Sequence, residues 1–426
     1  MLKRLSLCSF ILLAFSAQTQ DFANSYSGEL VVNESTSLPL QLNLDEQAAT
    51  LDSPAQGAFG IPVEEVDITN TKLTFRSSVI QASFDGKRQE NGCYQGQFKQ
   101  GMSLALTLCP VDESQQKTPT QELAELPVDA AVVEFTDGQW NVERLTFNVD
   151  DNKQYEIGSV TKTMVAWLLA KALQDGVVSE QTPLKKYWPD ANPHVGDIKL
   201  VDLATHHSGL PRLPKNLAPK NMEDPYVDYG LAKLTEAVKS SSVSLPAQYE
   251  YSNFGYGLLA ETLAKAYDEP FDSLIQEKLF NPLGMSETYI ALEPIDNPQL
   301  IAGTRIDGEQ VPHWHFDALA GAGAVISTVD DMANYLKALM QPDNDHLPLV
   351  NTLFEDRKSL GKNSAQALAW IKEQRGDKTL IWHNGQTAGF ASFIGFSADG
   401  KRGIVILSSR ARSVTEIGKK LLTNNP

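Results

Sequence analysis

Between positions 20 and 111, apolar and polar residues alternate. Leu38, Leu40, Leu42 and Leu44 take every second position, and Met102, Leu104, Leu106 and Leu108 repeat the arrangement. A period of two places one buried face on each strand. Asp85-Gly86 and Asn91-Gly92 read as hairpin turns between such strands. This part of the chain is therefore expected to form a small antiparallel β domain, a barrel or a sandwich. Residues 112–123 are polar, include Pro119 and read as a linker.

From 124 to 426 the pattern mixes α and β. The run Ala130, Ala131, Val132, Val133 reads as a strand, Asp137-Gly138 as a turn, and a second strand runs to Phe147. Val160, Met164 and Leu168 then recur at helical spacing, with Trp167 and Leu173 beside them, and Gly176 closes the helix. Helical patterns broken by Pro and Gly fill about 180–340. Apolar strands return at 393–397 and 403–408, and a helix closes the chain at 414–422. Strands at both ends with helices between them predict one sheet built from both ends, beside a helical subdomain.

Charge and cysteine usage narrow the setting. The 426 residues carry a net charge of -17, with a pI near 4.9. Nucleic acid is an unsuitable partner, because phosphate binding needs a basic face. Lys3 and Arg4 precede an apolar run at 5–15, too short to span a bilayer, and Ala14-Phe15-Ser16 supplies small residues for cleavage. Residues 1–17 read as a secretory signal, so the mature protein is expected in the periplasm or outside the cell, without a transmembrane segment. Cys8 leaves with the signal. Cys93 and Cys109 remain as an even pair, which suggests one disulfide closing a short loop, with two free buried thiols as the alternative.

Three short motifs carry the chemistry. Ser159-Val160-Thr161-Lys162 opens the predicted helix, so Ser159 and Lys162 share a face. A serine hydroxyl becomes a nucleophile when a base takes its proton. A lysine serves as that base if burial depresses its pKa, and Val160, Met164, Val165 and Trp167 are placed to bury it. The plainer alternative is a helix N-cap beside a solvated lysine. The other Ser-x-x-Lys matches fall in the linker (Ser114, Lys117) and across a glycine (Ser359, Lys362). Tyr251-Ser252-Asn253 precedes an apolar helix; its phenol can act as phenolate or relay a proton, and its amide can hold a substrate carbonyl. His383-Asn384-Gly385 follows an apolar strand, and Gly385 lets a substrate approach the strand edge. The backbone N–H groups of Ser159 and Gln386 are candidates for an oxyanion hole. His207-Ser208-Gly209 competes with the third motif but reads as a helix end.

Together and in this order, the three motifs resemble those of the serine β-lactamase and penicillin-binding superfamily, in its class C β-lactamase, D,D-peptidase and esterase branch. IGSVTK (157–162), LATHHSGLP (203–211), NPLGM (281–285), GAGAVISTVDDM (321–332) and HNGQTAGFASFIGF (383–396) are similar to that branch as well. The resemblance implies a β-lactamase-like α/β (α+β) domain over 124–426, an antiparallel sheet flanked by helices with a helical subdomain. It implies Ser159 as the acylated nucleophile, Lys162 and Tyr251 as base and relay, and Asn253, His383 and Gly385 as substrate-binding residues. The substrate class is an amide or ester: a β-lactam, a D-amino-acid peptide such as one derived from peptidoglycan, or a small ester. No cofactor is implied. His383 stands where the branch more often has a lysine that attracts a substrate carboxylate, so binding of acidic substrates is expected to weaken above about pH 6.5 as the imidazole loses its proton. The segment before the first strand is too short for the helix with which members usually begin. LDSPAQGAFGIPV (51–63) looks like part of a β domain preceding the catalytic domain of some secreted hydrolases.

Rival readings are weaker. His313-Trp314-His315 puts two imidazoles on one strand face, but no cysteine or HExxH motif accompanies them, and no metal is expected. No Gly-x-Ser-x-Gly elbow supports a conventional triad. A non-catalytic member of the same fold that binds peptidoglycan or another envelope polymer is the alternative to an enzyme.

Overall fold

The computed structural model describes residues 22–423, apart from 34–35, 45–48, 54–57, 112–116, 295–296 and 362. The signal reading of 1–17 and most of the polar linker core lie outside the described residues. The chain divides into two compact units, residues 1–116 and 117–426.

In the first unit, eight antiparallel strands close a barrel. Their alternating apolar positions meet inside: Leu40, Leu42, Leu73, Phe75, Phe84, Tyr94, Phe98, Leu106 and Leu108 are all buried there. Closure removes the sheet edges that a lone sheet would expose. Cys93 and Cys109 form a disulfide across a separation of 16 residues, joining a loop to the end of the strand Met102–Pro110. A crosslink over a loop of this length contributes about 3 kcal/mol. Reduction, or Cys93→Ser, should therefore destabilise this unit by about that amount in a denaturant titration.

One turn assignment fails. Asn91-Gly92 does turn, with Gly92 at φ +84° and the Asn91 side chain accepting from the Cys93 N–H. Asp85-Gly86, however, lies inside the strand Ala82–Arg88. A Cβ on Gly86 would sit 2.5 Å from the Phe84 ring, so this glycine makes room for an aromatic rather than turning the chain.

The second unit is built on an eight-stranded antiparallel sheet. Its order runs Gln139–Phe147, Val128–Thr136, Arg402–Ser408, Ala391–Ser397, Lys378–Gln386, Ile371–Arg375, Ser364–Gln366, Lys358–Ser359. Strands from both ends of the unit, Val128–Thr136 and Arg402–Ser408, thus lie side by side in it. Alternation along the central strands separates two cores. Ala130, Val132, Leu380, Phe393, Ile404 and Ile406 face the C-terminal helix Thr415–Thr423. Ala131, Val133, Ile381, Ile394, Val405 and Leu407 face the main core, which holds the helix Thr161–Gln174. That helix is buried along nearly its whole length, because the sheet covers one flank and the helical subdomain the other.

The stretch read as linker contains a short helix, Pro119–Leu123, opened by a Thr118–Gln121 capping box. Leu123 and Leu126 pack with Leu421 and Leu422, and Glu122 pairs with Lys420 at 3.1 Å. A five-residue helix has too little length to show periodicity, but its Thr-Pro-x-Gln start was legible.

Candidate active site

Ser159 lies in the 3-10 turn Gly158–Val160, which leads directly into the helix Thr161–Gln174. The turn is pressed against the end of the strand Lys378–Gln386. The Ser392 hydroxyl donates to the Ile157 carbonyl at 2.7 Å. Gly158 holds φ +52°, and a Cβ there would fall 2.8 Å from the Gln386 nitrogen; one on Gly385 would fall 2.0 Å from the Ile157 oxygen. Both positions need glycine for the turn and strand to meet. Thr387 N–H donates to the Phe390 carbonyl, and ladder bonds alternate along an antiparallel pair. The Gln386 N–H therefore points away from the strand Ala391–Ser397, toward the serine turn.

Lys162 is wholly buried. Its Nζ is hydrogen-bonded to Ser159 Oγ at 3.0 Å and donates to the Ala322 carbonyl at 2.6 Å. No carboxylate pairs with it among the described residues. Burial holds its pKa well below the ordinary lysine value, and the positive charge of Arg212 lowers it further. Burial thus favours the neutral amine, whose lone pair would stand beside a hydroxyl.

The Tyr251 ring lies 4.9 Å from that amine, and its phenol is hydrogen-bonded to Ser159. Burial raises its pKa far above neutrality. Of the two sequence-based options, phenolate or proton relay, the surroundings favour a protonated relay. Ser252 caps the helix Asn253–Tyr267, accepting from the Gly255 N–H at 2.8 Å and donating to the Pro211 carbonyl at 2.7 Å. Asn253 opens that helix. Its amide reaches the Tyr226 phenol, and its Oδ1 is buried without a partner. A small recess joins Ser159, Asn253, Tyr226, Trp314, Phe316, Gly323, Gln386 and Thr387.

His383 is buried, and its Nδ1 is bonded to the Asn384 carbonyl at 2.6 Å. Desolvation first, then the charge of Lys162, pushes its pKa down to about 3. This argues against the expected carboxylate-attracting role, because an imidazole with a pKa near 3 is neutral at pH 5.5 and above. KM for an anionic substrate should be flat between about pH 5.5 and 8; a rise of tenfold or more across that window would restore the charged reading.

Several neighbours were not singled out from the sequence. The His206 ring packs 4.4 Å from Tyr251, and its Nδ1 accepts from the Ser252 N–H at 3.1 Å. The Arg212 carbonyl accepts from the N–H groups of Asn253 and Phe254 at 2.9 and 3.2 Å. The LATHHSGLP stretch, read only as context, was the available signal. His207 bonds the Thr205 carbonyl just past the helix Leu200–Ala204, as a helix end should. His313 and His315 do not converge: one meets Glu156 at 2.8 Å, the other Asp224 at 2.7 Å.

The fold is that of class C β-lactamases and D-alanine carboxypeptidases. A β-lactamase/D-alanine carboxypeptidase from Pseudomonas syringae superposes with a TM-score of 0.61 at 20% identity, covering 72% of this chain and 96% of that one. A class C β-lactamase from Rhodobacter sphaeroides gives 0.59 at 20% identity, over 71% and 94%. The chain itself belongs to the beta-lactamase family, whose model matches residues 124–421. The D-alanyl-D-alanine-carboxypeptidase/endopeptidase AmpH of Escherichia coli K12 is 28% identical over 281 residues, covering 60% of this chain and 70% of the relative. A beta-lactamase of Yersinia enterocolitica is 24% identical over 301 residues, 62% and 75% of the two chains. The protein is a serine hydrolase of the β-lactamase and D-alanine carboxypeptidase type.

Proposed function

We propose that this hydrolase works through a Ser-Lys-Tyr acyl-enzyme and acts on the amide bond of a D-amino-acid peptide, with β-lactams and small esters as further acyl donors. The observation that carries the reading is the wholly buried Lys162 amine, 3.0 Å from Ser159 Oγ and without a carboxylate partner among the described residues. Lys162 takes the Ser159 proton as the oxygen attacks the carbonyl carbon. The N–H groups of Ser159 and Gln386 receive the developing oxyanion. Tyr251 passes its proton to the leaving nitrogen or oxygen as the bond to carbon breaks and takes back the proton held by Lys162. Water then cleaves the Ser159 ester, releasing the acid and restoring the hydroxyl. Asn253 Oδ1, buried and unpartnered, is suited to accept from a substrate N–H.

The peptide preference draws support from the similarity to AmpH, a D-alanyl-D-alanine-carboxypeptidase/endopeptidase. Export to the periplasm or beyond is part of the proposal. It rests on the signal-like residues 1–17 and on the Cys93–Cys109 disulfide, which suits an oxidising compartment. Among the described residues no helix is long and apolar enough to cross a membrane.

The test is a panel run at one enzyme concentration: an acetylated D-alanyl-D-alanine peptide, a penicillin and a nitrophenyl ester. Release of D-alanine at a kcat/KM above that for the penicillin is the expected result. Penicillin turnover with an untouched peptide would assign a β-lactamase instead, and ester cleavage alone an esterase.

A further inference from the structure

We propose that Arg212 is the anchor for a carboxylate carried by the substrate of this site. The proposal rests on the serine-hydrolase reading and adds the charge class of what binds. Arg212 follows Pro211 in the segment that cradles the Tyr251–Asn253 motif, and its main chain is fixed there by the Asn253 and Phe254 N–H groups. Its guanidinium sits 5.0 Å from the Tyr251 ring centroid. Lys162 occupies a position 4.9 Å from the same centroid. The buried amine and the exposed guanidinium thus share one aromatic neighbour.

The need for such a cation follows from the rest of the pocket. Lys162 is wholly buried and bonded to Ser159 Oγ and the Ala322 carbonyl, and His383 is a buried imidazole whose Nδ1 is spent on the Asn384 carbonyl. Burial disfavours a charge on either. His313 and His315, which flank Trp314 of the recess, are occupied by Glu156 and Asp224. Arg144, Arg305, Arg357, Arg375 and Arg402 each meet a carboxylate. Arg212, like Arg88, Arg410 and Arg412, meets none among the described residues, although the chain carries a net charge of -17; of these four it is the one against the Tyr251 ring. Its field reaches the site: its charge bears on Lys162, His206, Tyr226, Tyr249 and Tyr251. A fixed fork of donors, charged at every working pH and exposed beside the Tyr251 relay, is matched to a carboxylate. Its lack of a protein partner leaves that fork available to a ligand.

Three peptides sharing one D-alanyl-D-alanine bond test the assignment. Acetyl-D-alanyl-D-alanine amide is neutral, acetyl-D-alanyl-D-alanine carries its carboxylate beyond the bond, and succinyl-D-alanyl-D-alanine amide carries it before. Binding is measured by calorimetry to Ser159→Ala and to Ser159→Ala/Arg212→Met, at low salt and at about 0.5 M salt. At least one anionic peptide should bind Ser159→Ala about tenfold tighter than the neutral one. Arg212→Met and salt should both abolish that preference while leaving the neutral peptide unchanged; Arg212→Lys should keep part of it. The preferred anionic peptide identifies the side of the bond that Arg212 serves. A preference that survives Arg212→Met, or equal binding of all three peptides, overturns the proposal. Binding needs no turnover, so this outcome is separate from the catalytic reading, which fails instead if Ser159→Ala still hydrolyses a peptide.

Discussion

Ser159→Ala should abolish turnover of peptide, penicillin and ester alike, lowering kcat by about 10⁵-fold or more. Removal of the hydroxyl takes away the atom that forms the covalent bond. The N–H pair of Ser159 and Gln386 remains, so a residual rate of about 10³-fold over water is compatible with the account. Stability should change little. Ser159 is only partly buried, and its hydroxyl serves Lys162 and Tyr251 rather than holding elements together. Matched kcat measurements and thermal melts check both halves. An alanine variant with more than a hundredth of the wild-type rate would remove Ser159 from the chemistry.

Lys162→Met should lower kcat/KM by about 10³-fold, within the range for loss of a general base. Unlike most active-site changes, it should also stabilise the fold. The native protein holds this amine buried, with its charged form disfavoured, and bonded to one hydroxyl and one carbonyl; methionine fills a similar volume without that polar cost. The pH dependence gives the sign. The unfolded lysine keeps its proton up to its ordinary pKa, whereas the folded one has released it at a lower pH. Between those two values the unfolded state binds more protons, so native stability rises with pH. The methionine variant loses that slope, and its advantage over the wild type is largest at the acid end. Urea titrations at several pH values, run beside kcat/KM, check this. A variant that is both inactive and destabilised at acid pH would point to a charged, structurally paired lysine.

Legibility followed length and periodicity. The strands at 130–135, 393–397 and 403–408 and the helix after Ser159 announced themselves because each buries a regular face. The short helix Pro119–Leu123 did not, since its place depends on contacts with Leu421 and Leu422 at the far end of the chain. Asp85-Gly86 misled because its dipeptide is equally suited to a turn and to a strand position where Phe84 needs space.

The site divides in the same way. Ser159, Lys162, Tyr251 and Asn253 sit on two helix starts, where motif and local structure coincide. The charge state of His383 depends on its burial and on Lys162, some 220 residues earlier in the chain, which the local motif does not report. His206 and Arg212 act on Tyr251 through a tertiary contact that no spacing rule encodes.

The central claim is that Ser159 becomes acylated. It is tested most directly by quenching the mature protein within seconds of mixing with a penicillin, measuring its intact mass, and mapping the modified peptide. The account predicts a gain of one penicillin mass, located on the peptide containing Ser159 and absent from Ser159→Ala. An adduct on another residue, or one that persists in Ser159→Ala, would contradict it.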